Sequence, residues 1–178
     1  MPVGPPQYPV NLVIAGRRVL VVGGGPVAAG KVRELLVCGA RVELVAPEVV
    51  EPIRELAAAG TIAWASRRYR TTDLDGAWLV ITATDDPSVN ADVAADAEAA
   101  GRWCNSADDP ANCSFTLPSR IRRHPLLVTF STGGHSPAVS RWLRERYSDE
   151  FGSEYVVLIE MLAEKRAEIL ESGEPTEG

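Results

Sequence analysis

The chain has 178 residues, of which 46% are apolar and 24% are charged, and its formal net charge is −6. This composition predicts one main globular domain with a smaller appendage, and it excludes a disordered or fibrous protein. No apolar run reaches the roughly 18 residues of a membrane-spanning helix, and the first residues lack a signal-peptide pattern. Three cysteines without metal-ligand spacing favour a reducing cytoplasm and no metal site.

The first predicted elements surround a run of three glycines. Residues 8–14 are apolar and β-branched, and we expect them to form an antiparallel edge strand beside a buried strand at 18–22. Gly23, Gly24 and Gly25 end that strand, and a helical pattern follows over 26–38. Because Gly23, Gly25 and Ala28 read G-x-G-x-x-A between strand and helix, the pattern favours the phosphate turn of a dinucleotide-binding unit over an ordinary turn.

A second strand is predicted at 41–45, and its tip bears on the choice of cofactor. An acid that binds the adenosine ribose is expected there, about 20 residues beyond the glycines. The tip carries Ala46 and Pro47, with Glu48 just beyond. Either Glu48 reaches the ribose or backbone groups bind it; alternatively, Glu48 is an acid in the first turn of the next helix. Since no arginine follows immediately to bind a 2′-phosphate, the tip favours NAD over NADP.

Alternating strands and helices continue to residue 105 and predict an α/β protein with a Rossmann-type parallel sheet. In such a sheet the fourth strand, predicted at 77–82, ends beside the first across the cofactor crevice. Ala83 and Thr84 are therefore expected to line the nicotinamide half of the site. Asp85 and Asp86, which follow, are equally well explained as helix caps. The remaining elements predicted in this part are helices at 49–59 and 88–100 and strands at 61–65 and 102–105.

Beyond residue 105 the pattern changes to extended stretches at 114–118 and 126–132, a basic helix at 138–147 and a final helix at 151–170. Two strands and one helix cannot form an independent core, so a two-fold homodimer is expected. We predict a cofactor domain at 1–115, a small α+β dimerisation and substrate segment at 116–148, and a short C-terminal helical region at 149–178.

The charge is distributed unevenly. Residues 116–147 carry a net charge of +5, whereas the remainder carries −11. A local basic field in an acidic protein favours a small polyanionic ligand over nucleic acid, although a solvated basic helix face is the alternative. The arginines of this segment are Arg120, Arg122, Arg123, Arg141, Arg144 and Arg146.

One acid is a candidate for catalysis. Asp108 follows the fifth predicted strand, where open α/β sheets bind their ligands. A carboxylate there is suited to act as a general base or to orient a substrate, but a turn aspartate before Asp109-Pro110 fits equally well. The two histidines, His124 and His135, lie in predicted turns and are more typical of surface residues than of catalysts.

Six motifs occur in one order and carry a family resemblance: VLVVGGGPVAAGK, VELVAPE, LVITATDDPSVN, CNSADDP, SFTLPSRI and STGGHSPAVSRWLRE. Together they resemble the precorrin-2 dehydrogenase family, including the N-terminal module of bacterial siroheme synthase, over residues 8–147. The resemblance implies NAD-dependent oxidation of precorrin-2 to sirohydrochlorin by a homodimer. In many members ferrous iron, Fe²⁺, is then inserted in the same cleft.

The resemblance also implies roles for individual residues. It makes Asp108 the essential aspartate and places NAD contacts on Pro26, Val27, Pro47 and Glu48. A threonine, Thr132, replaces one serine of the family's serine-serine-glycine-glycine motif. For the carboxylates of the tetrapyrrole we expect a set of turn residues and arginines: Thr132, Gly133, His135, Arg120, Arg141 and Arg144.

Two other functions remain open at this point. One is a dehydrogenase for a different polyanionic substrate, which would bind NAD without oxidising precorrin-2. The other is a non-catalytic module that senses NAD or binds a tetrapyrrole, in which Asp108 is only a turn residue.

Overall fold

The computed structural model describes residues 6–107 and 109–172. The chain divides into two compact units, one ending at Thr116 and the other continuing from Leu117. Asp108, the predicted catalytic residue, lies outside the described residues.

The first unit is a parallel five-stranded sheet in the order β3-β2-β1-β4-β5. It confirms the predicted α/β Rossmann-type architecture, because three helices connect strands that all run in one direction. The elements are β1 (Arg18–Val22), α1 (Pro26–Val37), β2 (Arg41–Val45), α2 (Glu51–Ala58), β3 (Ala63–Ala65), β4 (Leu79–Thr82), α3 (Pro87–Ala99) and β5 (Trp103–Ser106).

The core of this unit lies on both faces of the sheet. Val19, Leu20, Val21 and Val22 of β1 are all 2% exposed or less, and alternate residues belong to two different apolar clusters. A central parallel strand covered on both faces needs a continuous apolar run, which is what the sequence supplies. The cofactor turn therefore follows a strand that packing holds from both sides.

The edge strand predicted at 8–14 is wrong: the structure has no strand among residues 6–17. Both edges of β1 already pair with β2 and β4, so β1 has no free edge for an antiparallel neighbour. The stretch is apolar for another reason, since Ile14 is buried in the cluster on one face of the sheet. Gly16 donates its backbone N–H to the Gly39 carbonyl at 2.8 Å, which fixes the entry into β1.

The second unit contains an antiparallel hairpin and two helices. These are β6 (Ser119–Arg123), β7 (Leu126–Phe130), α4 (Pro137–Tyr147) and α5 (Glu154–Ser172). Helix α4 packs against both strands of the hairpin. The strand expected at 114–118 is wrong, because the first strand starts at Ser119. The observed strand β6 has the sequence SRIRR, in which Ile121 is the one buried residue and lies between arginines. A pattern of apolar β-formers therefore does not predict β6.

Few side chains of the second unit are buried. Among its described residues only Ile121 and Ser140 are less than 9% exposed. Large apolar side chains of α5 are exposed instead: Val157, Leu158, Met161, Leu162 and Leu170. A unit that buries so little apolar surface is not stable alone. No helix in the described part of the chain is long and apolar enough to span a bilayer.

Candidate functional site

The turn after β1 is shaped by a close contact with the end of β4. Gly23 has a φ of +126°, and a Cβ there would overlap the Ala83 carbonyl oxygen and lie 3.1 Å from the Thr84 nitrogen. Gly23 also donates its N–H to the Val45 carbonyl at 3.1 Å. Only glycine has both the backbone freedom and the size for this position. Gly23 thereby joins the carboxyl ends of β1, β2 and β4.

Gly24 is required by packing against the segment after β2. A Cβ on Gly24 would overlap the Glu48 carbonyl oxygen and lie 3.1 Å from the Ala46 Cβ. The Gly24 carbonyl accepts a hydrogen bond from the Val50 amide at 2.8 Å. We predict from the sequence that Gly24, like Gly23 and Gly25, contacts the cofactor. Its packing against the segment after β2 is a second reason for a glycine here.

Gly25 differs from the other two glycines, because among the described residues none apart from its own chain neighbours comes within 4 Å of the position of a Cβ. It is the N-cap of α1, with extended backbone and no side-chain cap, and Pro26 follows in the first turn. The first amides of a helix have no intrahelical acceptor and carry partial positive charge. The open space at Gly25 therefore lets an anion reach these amides, and the turn fits the pyrophosphate of a dinucleotide. Pro26 and Val27, both predicted contacts, are exposed here.

At the tip of β2, Pro47 and Glu48 are exposed beside the glycine turn. The Pro47 carbonyl accepts a hydrogen bond from the Ser66 hydroxyl at 3.0 Å, and the Ala46 carbonyl accepts one from the Trp64 indole N–H at 3.0 Å. These bonds hold the backbone of the tip against β3 and the residue that follows it. Glu48 lies just beyond this tip, and its predicted contact with the adenosine ribose stays a prediction.

The tip of β4 places Ala83 and Thr84 next to Gly23, as the sequence predicted. The Ala83 amide donates to the Val22 carbonyl at 2.8 Å. Thr84 forms hydrogen bonds with Asn90 of α3, whose Oδ1 accepts from the Thr84 amide at 3.2 Å and from its hydroxyl at 2.8 Å; the hydroxyl also bonds to the Asp86 backbone. The Asn90 Nδ2 donates to the Thr84 carbonyl at 3.0 Å. Asn90 was not predicted as a site residue; the only signal in the sequence was an asparagine in the interior of a helix.

Asp86 caps α3, which confirms the capping alternative for this acid. Its side chain accepts hydrogen bonds from the Ser88 amide at 2.9 Å and the Val89 amide at 3.4 Å. The hydrogen bonds from Ser88 are the main reason that the pKa of Asp86 lies below its ordinary value. Asp86 is therefore part of the scaffold that starts α3.

The residues on either side of position 108 are held at the end of β5. The Ser106 amide donates to the Cys113 Sγ at 3.2 Å, and Asp109 caps a short 3-10 helix by accepting from the Ala111 amide at 2.9 Å. Ser114 accepts a hydrogen bond from the Cys104 amide at 2.8 Å. Burial raises the pKa of the Cys113 thiol, so this side chain is neutral and serves as a hydrogen-bonding partner. The role of Asp108 stays a prediction.

The predicted substrate arginines lie on β6 and α4 of the second unit. Arg120 is half-buried, and this burial, with the nearby charge of Arg122, lowers its pKa. Arg141 is exposed on α4. Arg144 pairs with Glu145, with 3.0 Å between Nη2 and Oε1. A ligand carboxylate must therefore compete with Glu145 for Arg144, whereas Arg141 presents its charge at the surface.

The turn before α4 contains the other predicted substrate residues. Thr132 accepts a hydrogen bond on its hydroxyl from the Ser136 amide at 3.0 Å. Its carbonyl accepts from the His135 amide at 3.1 Å and lies 2.8 Å from His135 Nδ1, which requires a proton on that nitrogen. Gly133 has a φ of +61°, which suits glycine. The Thr132 hydroxyl thus organises the turn, a task that serine or threonine performs equally.

The structure therefore divides the predicted site residues into two groups. The first unit brings the predicted cofactor residues together at one end of its sheet: Gly23–Val27, Pro47, Glu48, Ala83 and Thr84. The second unit contains the predicted substrate residues: Arg120, Thr132, Gly133, His135, Arg141 and Arg144. In the described part of the chain, no three or more His, Cys, Asp or Glu side chains are grouped so as to bind a metal ion.

Comparison with known proteins extends these observations. Residues 10–119 match a family model described as putative NAD(P)-binding. The chain is 44% identical over 138 residues to "Siroheme synthase 1" of Aeromonas salmonicida, covering 78% of this chain and 30% of that protein. It is 45% identical over 133 residues to "Siroheme synthase" of Ectopseudomonas mendocina, covering 75% and 28%. The chain thus spans less than a third of the length of these relatives.

A solved structure is also similar in three dimensions. The protein titled "SirC, precorrin-2 dehydrogenase" is similar with a TM-score of 0.77 and 29% sequence identity, and the match covers 90% of this chain and 79% of that one. The chain therefore belongs to the putative NAD(P)-binding family, and its similarity to siroheme synthases and to a precorrin-2 dehydrogenase confirms the resemblance that its motifs indicated.

Proposed function

We propose that this protein oxidises precorrin-2 to sirohydrochlorin with NAD⁺ as the oxidant. The observation that carries the proposal is the likeness to a precorrin-2 dehydrogenase over 90% of the chain. The open space at Gly25 in front of α1 supports it independently, because no described residue beyond its chain neighbours fills the position that a pyrophosphate would take. In this oxidation the substrate loses two hydrogens, one as a hydride and one as a proton.

The first unit supplies the cofactor site. The amides at the start of α1 bind the pyrophosphate across Gly25, with Pro26 and Val27 beside it, and Glu48 binds the adenosine ribose. Ala83 and Thr84 form the wall on the nicotinamide side. When bound there, NAD⁺ supplies the hydride acceptor. Since no arginine follows the tip of β2 immediately to bind a 2′-phosphate, NAD is favoured over NADP.

We assign to Asp108 the role of accepting the proton that precorrin-2 loses. Its described neighbours are fixed by Cys113 and by the 3-10 helix after Asp109, at the end of the sheet where open α/β folds bind ligands. A carboxylate in this place accepts the proton that the macrocycle loses. The same carboxylate is suited to accept pyrrole protons if ferrous iron, as a substrate, enters sirohydrochlorin. We keep this iron insertion as a separate and second activity.

The second unit supplies the charge that recognises a polycarboxylate tetrapyrrole. Guanidinium groups bind carboxylates through paired hydrogen bonds, and Arg120, Arg141 and Arg144 are the arginines assigned to this task. The turn at Thr132, Gly133 and His135 lies just before the helix that carries two of them. The exposed Arg141 is expected to contribute the most, because Arg144 already pairs with Glu145.

We further propose that the protein is a homodimer through its second unit. Only Ile121 and Ser140 are buried among the described residues from 117 onwards, whereas Trp142 is 56% exposed and Leu127 is 40% exposed. A second copy supplies the missing apolar partner most simply, in a two-fold arrangement.

The three free cysteines, which suit a reducing compartment, support a place in the cytoplasm.

The function is tested with Asp108→Asn under anaerobic conditions, with precorrin-2 and NAD⁺ as reactants. We expect kcat for NADH formation to fall by about 100-fold or more, since a positioned base contributes at least that factor. NAD⁺ and tetrapyrrole binding, measured by calorimetry and fluorescence quenching, should persist. Asp109→Asn is the matched control, because the amide oxygen still caps the 3-10 helix. Undiminished turnover in Asp108→Asn would remove the assignment of the base.

A further inference from the structure

The side chain of Asn90 is the polar centre of the α3–β4 junction. It is 8% exposed, although asparagine is a poor residue for a helix interior. Its Oδ1 accepts from the Thr82 hydroxyl, the Thr84 hydroxyl and the Thr84 amide, while its Nδ2 donates to the Thr84 carbonyl. One amide therefore fixes the side chain at the end of β4 and both backbone polar groups of a residue beyond it.

The segment that Asn90 fixes is the one against which the cofactor turn packs. The Ala83 carbonyl oxygen, between the two threonines, lies where Gly23 would carry a Cβ, and the Ala83 amide is bonded to Val22. The backbone of Gly23 therefore has no room to move toward β4. A shift at Ala83 is transmitted directly to the glycine turn.

We propose that Asn90 is a positioning residue for the cofactor: its amide holds the tip of β4 against Gly23 and so keeps the pyrophosphate turn in the shape that binds NAD. This inference rests on the proposed NAD site. It also assigns a character to the nicotinamide-side wall. Asn90 forms hydrogen bonds with the N–H, the carbonyl and the hydroxyl of Thr84. Because these groups of Thr84 are used within the protein, Thr84 contributes shape to the wall.

A purely structural role predicts a different outcome from a positioning role, and Val93 separates the two. Val93 lies on the same helix, is fully buried, and packs in the apolar cluster with Leu20, Val22 and Val80. Val93→Ala leaves a cavity under α3 and destabilises the fold, but it leaves every hydrogen bond of Asn90 in place. It is the matched control for loss of stability.

The experiment measures the Kd for NAD⁺ by titration calorimetry together with Tm, for the wild-type protein, Asn90→Ala, Asn90→Asp and Val93→Ala. We expect Asn90→Ala to raise the Kd about tenfold, equivalent to one or two hydrogen bonds. Asn90→Asp keeps the acceptor oxygen but replaces the donor with a buried carboxylate oxygen that faces the Thr84 carbonyl, so it should raise the Kd at least as much. It carries the test if Asn90→Ala does not fold. Val93→Ala should lower Tm with its Kd within about twofold of wild type.

Two results would overturn the inference. One is an unchanged Kd in both Asn90 variants; the other is a rise in Kd that Val93→Ala reproduces at an equal loss of Tm. Either result leaves the proposed function intact as long as the wild-type protein binds NAD⁺. A wild-type protein that does not bind NAD⁺ contradicts the proposed function and the inference together.

Discussion

Two glycines of the same turn should respond in opposite ways to the same substitution. In Gly23→Ala the new Cβ overlaps the Ala83 carbonyl oxygen, and the backbone is held at a φ of +126° that alanine does not tolerate. In Gly25→Ala the Cβ meets no described residue beyond its chain neighbours within 4 Å, and the N-cap backbone, at φ −82° and ψ −175°, is accessible to any L-residue.

The expected magnitudes follow from these geometries. For Gly23→Ala, the left-handed backbone costs about 1–2 kcal/mol and the overlap about 1–3 kcal/mol. At about 2–4 °C per kcal/mol for a chain of this size, Tm should fall by roughly 4–20 °C. Gly25→Ala should lower Tm by less, about 1–4 °C, because alanine is worse than glycine at an N-cap by about 0.5–1 kcal/mol. Its methyl group instead fills the space in front of α1, and we expect the Kd for NAD⁺ to rise about tenfold or more.

Differential scanning fluorimetry and titration calorimetry on the two variants measure both quantities. A Gly25→Ala protein that binds NAD⁺ like wild type would refute the conclusion that the pyrophosphate approaches the helix at this glycine. A Gly23→Ala protein with an unchanged Tm would refute the contact with Ala83.

Two further predictions concern stability and substrate binding. Arg67 forms two hydrogen bonds with the Asp73 carboxylate, at 2.6 and 2.8 Å, and lowers the pKa of Asp73. The resulting stabilisation of the folded protein is complete above the ordinary pKa of an aspartate. It is lost as pH falls through the lower pKa that Asp73 has in the folded state. Asp73→Asn should therefore cost about 1–2 kcal/mol at pH 7, measured by urea unfolding, and a difference from wild type that does not shrink below about pH 4 would contradict this reasoning. Arg141→Glu should raise the KM for precorrin-2 about tenfold with the Kd for NAD⁺ unchanged. Arg123→Glu, which makes the same charge change in the same unit, is its control, and equal effects of the two would indicate a general field instead of a contact.

The parts of this fold that could be predicted from sequence are those with a local pattern. The apolar run at 19–22, the glycines after it and the alternation of strands and helices were sufficient for the parallel sheet. The strand at Ser119–Arg123 was missed because arginines flank its single buried residue, Ile121. The strand predicted at 8–14 was wrong because its apolar residues serve packing in a sheet whose central strand has two neighbours already.

The site was predictable to a similar extent and for a similar reason. The G-x-G-x-x-A spacing located the turn, but the contact between Gly23 and Ala83 joins residues that are far apart in the chain and leaves no local signal. Asn90 belongs to the same class, since its importance depends on what the fold places beside it. Asp108 was found by its position after a strand and by family resemblance, and its role remains a prediction.

The central claim is that the chain transfers hydride from precorrin-2 to NAD⁺, and the most direct measurement is the stoichiometry of that reaction. Purified protein is mixed anaerobically with precorrin-2 and NAD⁺, and NADH and sirohydrochlorin are followed together by absorbance. The account predicts one NADH for each sirohydrochlorin formed, at a rate proportional to protein concentration. Binding of NAD⁺ without formation of NADH would contradict it and would favour a module that binds the cofactor without catalysis.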